Sequence, residues 1–396
     1  MSNALQDNYQ NPIGLTSQFR FCGNAFRLDF YRFCTFGCSY CFARTLNNDG
    51  FKSSYAKFEI IEKLFQRAFE TTEETNNLTI ELLRHKVPLH IGGMSDPFQP
   101  IEFQYKLNYK LIELSNKYNY PLIFSTKQCY LPEEYWGILN PKLHAFQISL
   151  IGLSEDYVRK YEHNSPSPQK RLEFLKELRR KGFWCSIRIQ PIIDMKEVLA
   201  LCKEIDGIAS YITAEHLKIN IENPKYKEIF KDILPQYTSR NAKTRDMELD
   251  IEQKRKNIEQ IKSVLKTTKL GVGDNDLHYL SESRCCCGID TINENFNNYL
   301  KYNLTYFTTE HLGNTKASEE DYWLPQGNIS SVLNSTVKIS NINTLKEYVE
   351  VYCSKHEDFM CEGCSMKDKF RGVFYDKKTG DKYKQIDIFD LGGNND

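Results

Sequence analysis

The sequence predicts an α/β fold, a partial (β/α)6 TIM-type barrel followed by a helical insertion and a smaller cysteine-containing C-terminal region. Two observations carry this. From about Phe26 to Leu217 short β-type runs alternate with amphipathic stretches, the pattern of a parallel sheet covered by helices. After Leu217 the texture changes to a charged, apolar-poor stretch through RDMELDIEQKRKNIEQIKSVLK. The strand candidates are Phe26 to Phe33, Leu89 to Gly93, Leu122 to Thr126, Ala145 to Leu150, Trp184 to Ile193 and Ile208 to Leu217, too few to close a barrel of eight. Between them, helices are expected near Ile60 to Thr71, Lys106 to Lys117, Pro168 to Lys181 and Met195 to Glu204, where apolar residues recur every three or four positions. Ser167 is placed to cap the third.

The chain divides accordingly into a polar N-terminal extension (1–18), the partial barrel (19–218), the helical insertion (219–268) and the C-terminal region (269–396). In that last part RGVFYDKKTGDKYKQIDIF reads as a β-hairpin turning at Lys378 to Asp381. At 396 residues the chain accommodates one large barrel plus an appendage.

Hydrophobic content of 40% and charged content of 26% are those of a globular protein. The 52 basic side chains balance 52 acidic ones, so no global field draws the chain to nucleic acid or an anionic membrane. No apolar run approaches the roughly 20 residues that cross a bilayer, and the N-terminus is neither basic nor apolar, so a cytoplasmic location without membrane contact is expected. Thirteen unevenly spaced cysteines suit thiolate-bound metal in a reducing compartment better than a disulfide framework.

The segment FCTFGCSYCFAR sets Cys34, Cys38 and Cys41 within eight residues, close enough to wrap one metal centre. A four-iron cluster normally takes one thiolate per iron, so three local cysteines leave one iron open to a ligand. The alternatives are a structural zinc with a distant fourth ligand and a buried cysteine stripe on a helix. Gly37, Thr35 and the surrounding aromatics speak against the helix.

This CxxxCxxC loop, with aromatic Tyr40 before its last cysteine and the strand-like FRLDFYRF ahead of it, resembles the signature loop of the radical S-adenosylmethionine (SAM) superfamily. The resemblance implies a 4Fe-4S cluster on the three cysteines, SAM chelated at the open iron, and reductive cleavage to a 5′-deoxyadenosyl radical that abstracts hydrogen. It also implies an electron donor of flavodoxin or ferredoxin type. DPFQPIE together with CSYCFAR resembles the spore photoproduct lyase-like (DNA repair photolyase-like) branch, with Phe42 and Phe98 where tyrosines are usual. By the same resemblance the SAM-binding candidates are Tyr40, Gly92, Gly93 and Met94 after the second strand, Lys127 after the third, Ser149 on the fourth and Arg188 on the fifth. Glu162 and His163 stand where the branch usually has Glu-Pro.

A second cysteine group comprises Cys285, Cys286 and Cys287, whose adjacency disfavours pairing among themselves, and the CxxC of Cys361 and Cys364. Together they could supply an auxiliary iron-sulfur cluster or a zinc site. Cys22, Cys129, Cys185, Cys202 and Cys353 read as core thiols. Basic and aromatic residues interleave in KDKFRGVFYDKKTGDKYK, as in a phosphate-gripping ribbon or any solvated hairpin. The expected function is therefore a radical SAM enzyme, with a nucleic acid base as the favoured substrate. The alternatives are a radical SAM enzyme acting on a peptide or small metabolite, and a zinc-stapled nucleic-acid-binding module without catalysis.

Overall fold

The computed structural model describes residues 9–16, 22–43, 54–75, 77–241, 245–274, 277, 280–283 and 285–301, and the short segments 373–374 and 384–385. Its core is a mostly parallel sheet built from β1 (Ile13–Leu15), β2 (Phe26–Leu28), β3 (Leu89–Ile91), β4 (Leu122–Thr126), β5 (His144–Ser149), β6 (Cys185–Ile192) and β7 (Tyr211–His216). A small antiparallel ribbon of β8 (Ser239–Arg240) and β9 (Met247–Glu248) follows, and then β10 (Leu270–Val272), which returns to the main sheet. The sheet order is β1-β2-β3-β4-β5-β6-β7-β10, with β1 antiparallel to β2 and every later neighbour parallel. This is the partial barrel that the alternating pattern predicts.

The six expected strands are all present, with β4 at the expected bounds and the first shortened to Phe26–Leu28. At its end the N–H of Asp29, almost fully buried, donates to the Pro12 carbonyl at 2.8 Å, while the Asp29 carboxylate accepts the backbone N–H groups of Met94 and Ser95 at 2.9 and 3.2 Å. The expected helices form at Phe58–Phe69, Leu107–Tyr118, Pro168–Arg180 and Met195–Ile205, and Ser167 caps the third by accepting from Lys170 N–H.

Two further strands join the sheet. β1 lies within the span read as a polar extension, and β10 lies within the C-terminal region. The charged stretch before β10 is not wholly exposed: its helix Ile251–Val264 packs on Met195–Ile205 and buries Lys254, Asn257, Ile258 and Ile261. Lys254 is tolerated there because its ammonium meets Glu248 at 2.6 Å. Beyond residue 301 the described segments Val373–Phe374 and Lys384–Gln385 pair antiparallel, as the hairpin reading requires, while its turn lies outside the described residues.

Helix-facing positions of the strands are apolar, for example Phe124, Phe146, Ile187, Ile189 and Ile212, all essentially inaccessible. Most of the alternate positions are polar, among them His90, Ser125, Gln147, Arg188 and Thr213. That division leaves a lumen lined by hydrogen-bonding groups, where an ordinary barrel core would be filled with branched aliphatics. No helix among the described residues is long and apolar enough to cross a membrane.

Candidate active site

Cys34, Cys38 and Cys41 fall in the turns that follow β2, at the carboxyl edge of the sheet, and the segment is not helical apart from its last residues. Two neighbouring segments hold it. From the DPFQPIE string, Gln99 accepts from Thr35 N–H at 3.0 Å and donates to the Phe33 carbonyl at 2.9 Å. From the YEHNSPS segment, the Tyr161 carbonyl accepts from Ser39 N–H at 2.8 Å, and Asn164 bridges the Phe36 and Thr35 carbonyls at 3.2 and 3.1 Å. The loop is therefore positioned by backbone bonds before any metal arrives.

The thiols sit near enough to influence one another. Burial, and then Asp96, push Cys34 up to about 11, and burial pushes Cys38 up to about 12 against the opposing pull of Lys127. Ligation must displace those protons. Among the described residues, three ligand atoms come within 4.8 Å of one another only at Cys22, Cys286 and Cys287, so the sulfurs of Cys34, Cys38 and Cys41 are not gathered for one mononuclear ion. A polynuclear cluster, with each thiolate on a different iron, suits the wider spread.

Beneath the loop lies a buried ionic network centred on Glu162. Its carboxylate meets Arg171 at 2.7 Å, both side chains fully buried, and lies 3.6 Å from the Lys127 ammonium. Ser165 donates to it at 3.0 Å, and the Tyr40 hydroxyl also donates to it. Burial alone would raise the Glu162 carboxyl, but Arg171 and Lys127 outweigh burial and hold it below the ordinary range. Burial likewise opposes charge on Lys127, yet Glu162 and Cys38 keep its pKa above the usual value. Arg171 also donates to the Ser149 carbonyl at 2.7 Å, tying the end of β5 to the same network.

The SAM-binding candidates are distributed around this edge. Tyr40 and Lys127 belong to the Glu162 network, with the ammonium 5.6 Å from the Tyr40 ring centre. Ser149 and Arg188 face each other in the β5–β6 register. Gly92 has φ +104°, and a Cβ there would stand 2.3 Å from the Ser125 carbonyl, so close packing of β3 on β4 itself demands glycine. A Cβ on Gly93 would lie 3.3 Å from Arg27 and Asp29 side-chain atoms, and Met94 N–H is engaged by Asp29. A groove of about 410 Å3 bordered by Tyr9, Arg27, Arg32 and Met94 adjoins the same edge.

Asp96 and Glu102 show why DPFQPIE carries polar residues at buried positions. Asp96 accepts from Phe98 N–H, Thr126 Oγ1 and Lys127 N–H at 3.0, 2.7 and 2.7 Å, fastening the end of β4. Glu102 accepts from the Tyr31 and Tyr135 hydroxyls and from Asn108 and Tyr109 N–H, all within 3.0 Å. Burial pushes its carboxyl up to about 7 against these bonds. Glu102→Ala, which strands those donors, is expected to lower unfolding free energy by about 3 kcal/mol, read from urea denaturation.

The lumen supplies residues that the strand reading did not single out. His90 Nε2 meets Ser125 Oγ at 2.7 Å, Ser125 donates to Gln147 Oε1 at 2.9 Å, and Arg188 donates to both at 3.0 and 3.2 Å. Arg188 also bonds Gln190, which reaches Glu215 at 3.2 Å. Burial first, then Arg188, lowers His90 to about 3, so the imidazole is neutral at physiological pH. Since the one Ser125 proton goes to Gln147, His90 Nε2 carries a hydrogen and Nδ1 is left as an acceptor. Buried Asn24 Oδ1 and Gln147 Nε2 have no protein partner, as expected of groups that meet a ligand or ordered water. These positions were legible as polar residues at inward alternate sites of LHI, IFST, FQIS and SIRIQP.

In the second cysteine group Cys286 and Cys287 gather with Cys22, whereas Cys285 stands outside that group. Cys22, read as a core thiol, packs against the hydrophobic core and also lies 3.5 Å from Cys287. Cys185 and Cys202 are buried and Cys129 is partly so, while Cys353, Cys361 and Cys364 lie outside the described residues.

The three-cysteine loop thus stands at the carboxyl edge of the partial barrel. Residues 28–202 match the model of the Radical SAM superfamily. A curated relative, a radical SAM Nalpha-GlyT isomerase of Pseudomonas phage M6, is 24% identical over 164 residues, 41% of this chain. The match covers 32% of that relative's length. A spore photoproduct lyase variant with bound AdoMet and dinucleoside spore photoproduct aligns at TM-score 0.47 and 13% identity, covering 63% of this chain and 77% of that one. Streptococcus suis SuiB bound to S-adenosylmethionine aligns at TM-score 0.40 and 13% identity, covering 62% and 48%.

Proposed function

We propose that this chain is a radical SAM enzyme in which Cys34, Cys38 and Cys41 hold a 4Fe-4S cluster with one iron left for the cofactor. The observation that supports it most is the three-thiol loop fixed at the carboxyl edge of a polar-lined partial barrel. When bound, the cluster and S-adenosylmethionine supply one-electron cleavage of the sulfonium, producing methionine and a 5′-deoxyadenosyl radical.

The residues around the loop bind and orient. Lys127 and Arg188 offer cations suited to the methionine carboxylate, and the carbonyls of Gly92, Gly93 and Met94 suit its ammonium. Ser149 supports the ribose, and Tyr40, pinned by Glu162, provides an aromatic wall. An electron donor of flavodoxin or ferredoxin type is required by the one-electron step.

A nucleic acid base is the favoured substrate. The lumen presents neutral donors and acceptors on Asn24, His90, Ser125, Gln147 and Gln190, the groups that read a base edge. The motif resemblance of CSYCFAR and DPFQPIE to the photolyase-like branch points the same way. A peptide or small metabolite is the competing substrate class.

The test is anaerobic purification, iron and sulfide analysis, and incubation with dithionite and S-adenosylmethionine. Formation of 5′-deoxyadenosine is expected, and oligonucleotides rather than peptides are expected to compete for the lumen. Full iron loading without any 5′-deoxyadenosine would overturn the proposal.

A further inference from the structure

We infer that Cys22, Cys286 and Cys287 form a second metal site, a mononuclear thiolate centre of the zinc type at the end of the barrel opposite the radical centre. The Cys22 and Cys287 sulfurs lie 3.5 Å apart, Cys286 and Cys287 3.7 Å apart, and all three fall within 4.8 Å of one another. Thiolates at about 2.3 Å from a tetrahedral ion stand about 3.8 Å from each other, so these sulfurs already occupy the corners of one coordination sphere. A disulfide would need about 2.05 Å, and adjacent Cys286 and Cys287 cannot bridge without strain.

The surrounding chain holds this arrangement in place. Cys22 precedes β2, whereas the radical-site cysteines follow it, so the two centres lie at opposite ends of that strand. After β10 the chain doubles back, with Ser281 and Glu282 bonded to Val272 and Leu270, and delivers Cys286 and Cys287 to the amino-terminal edge of the sheet. Thr213 on β7 donates to the Cys286 carbonyl at 2.9 Å. A Cβ on Gly271 would sit 2.0 Å from that carbonyl oxygen, so only glycine in β10 lets the cysteine segment approach. Asn24 N–H points at Cys22 Sγ at 3.4 Å, the kind of outer hydrogen bond that orients metal thiolates.

The consequence is a clasp. One ion would join the chain entering the first parallel strand to the chain leaving the last one, closing the floor of an open barrel beneath unpartnered Asn24 Oδ1 and Gln147 Nε2. The described residues provide three of its ligands, and a solvent molecule completes the tetrahedron.

The experiment starts from the full chain carrying Cys34→Ala, Cys38→Ala and Cys41→Ala, which removes the radical centre and makes the outcome independent of the proposed function. Anaerobic titration with cobalt(II) is expected to give one bound ion per chain, with sulfur-to-cobalt charge-transfer and tetrahedral ligand-field absorption, reversed by zinc. Adding Cys22→Ser or Cys287→Ser should weaken uptake roughly 10-fold or more. Zinc-edge X-ray absorption on the zinc-loaded parent, which needs no substitution in the clasp, should show at least three sulfurs at about 2.3 Å. Fewer than three sulfurs, no charge-transfer band, a Cys22–Cys287 disulfide in mapped peptides, or uptake abolished by Cys361→Ala but indifferent to Cys22→Ser would each overturn the site.

Discussion

Cys38→Ala is expected to yield a folded protein that retains no cluster iron and forms 5′-deoxyadenosine only at background. The fold should survive because the loop does not depend on that sulfur: its backbone is bonded to Tyr161, Asn164 and Gln99 through residues other than Cys38. Removing one buried thiol from such a frame costs about 1 kcal/mol. The metal consequence is far larger, since a cluster with three protein thiolates falls to two, and the loss should exceed the roughly 100-fold that follows removal of an outer-shell partner. Iron content, cluster absorbance and product formation measured beside a thermal melt separate the two effects. Cluster iron that persists in the variant with undiminished 5′-deoxyadenosine would disprove the assignment of Cys38 as a ligand.

Much of this architecture was written locally in the sequence. LIFST marked β4 because Leu122 to Phe124 form a short apolar run that begins straight after Pro121, and all five residues are buried in the sheet. Ser167 before Pro168 announced a helix start for the same local reason. The three-cysteine loop was equally plain, since its ligands are neighbours in sequence. β10 was not, because LGV is three residues long, contains glycine, and becomes a strand only when β7 offers its ladder. Cys22 was hidden by distance along the chain: nothing near it hints at a partner 265 residues away. The polar lumen was visible residue by residue, yet a glutamine inside a strand declares its role only once β3 to β7 are placed side by side.

Glu162 is the residue whose importance depends most on three-dimensional context, and Glu162→Gln is expected to be among the most damaging conservative changes in the chain. The amide keeps the size and can still accept from Tyr40 and Ser165, but it leaves the fully buried Arg171 guanidinium without a counterion and Lys127 without its anion. Breaking one partner of a buried pair costs about 3–5 kcal/mol. Because the folded carboxyl is held below its ordinary value of 4.5, its contribution is complete above that pH and is lost as pH falls through the folded value. The stability gap between the parent and Glu162→Gln, read from denaturant midpoints, should therefore be wide at neutral pH and narrow as pH falls below 4.5. A Tyr40 bond to a neutral amide is weaker than one to a carboxylate and should also loosen the cysteine loop, so reconstituted iron should fall with stability. A gap that stays equally wide in acid would mean that shape rather than charge at Glu162 holds the loop, and the electrostatic account of this edge would fail.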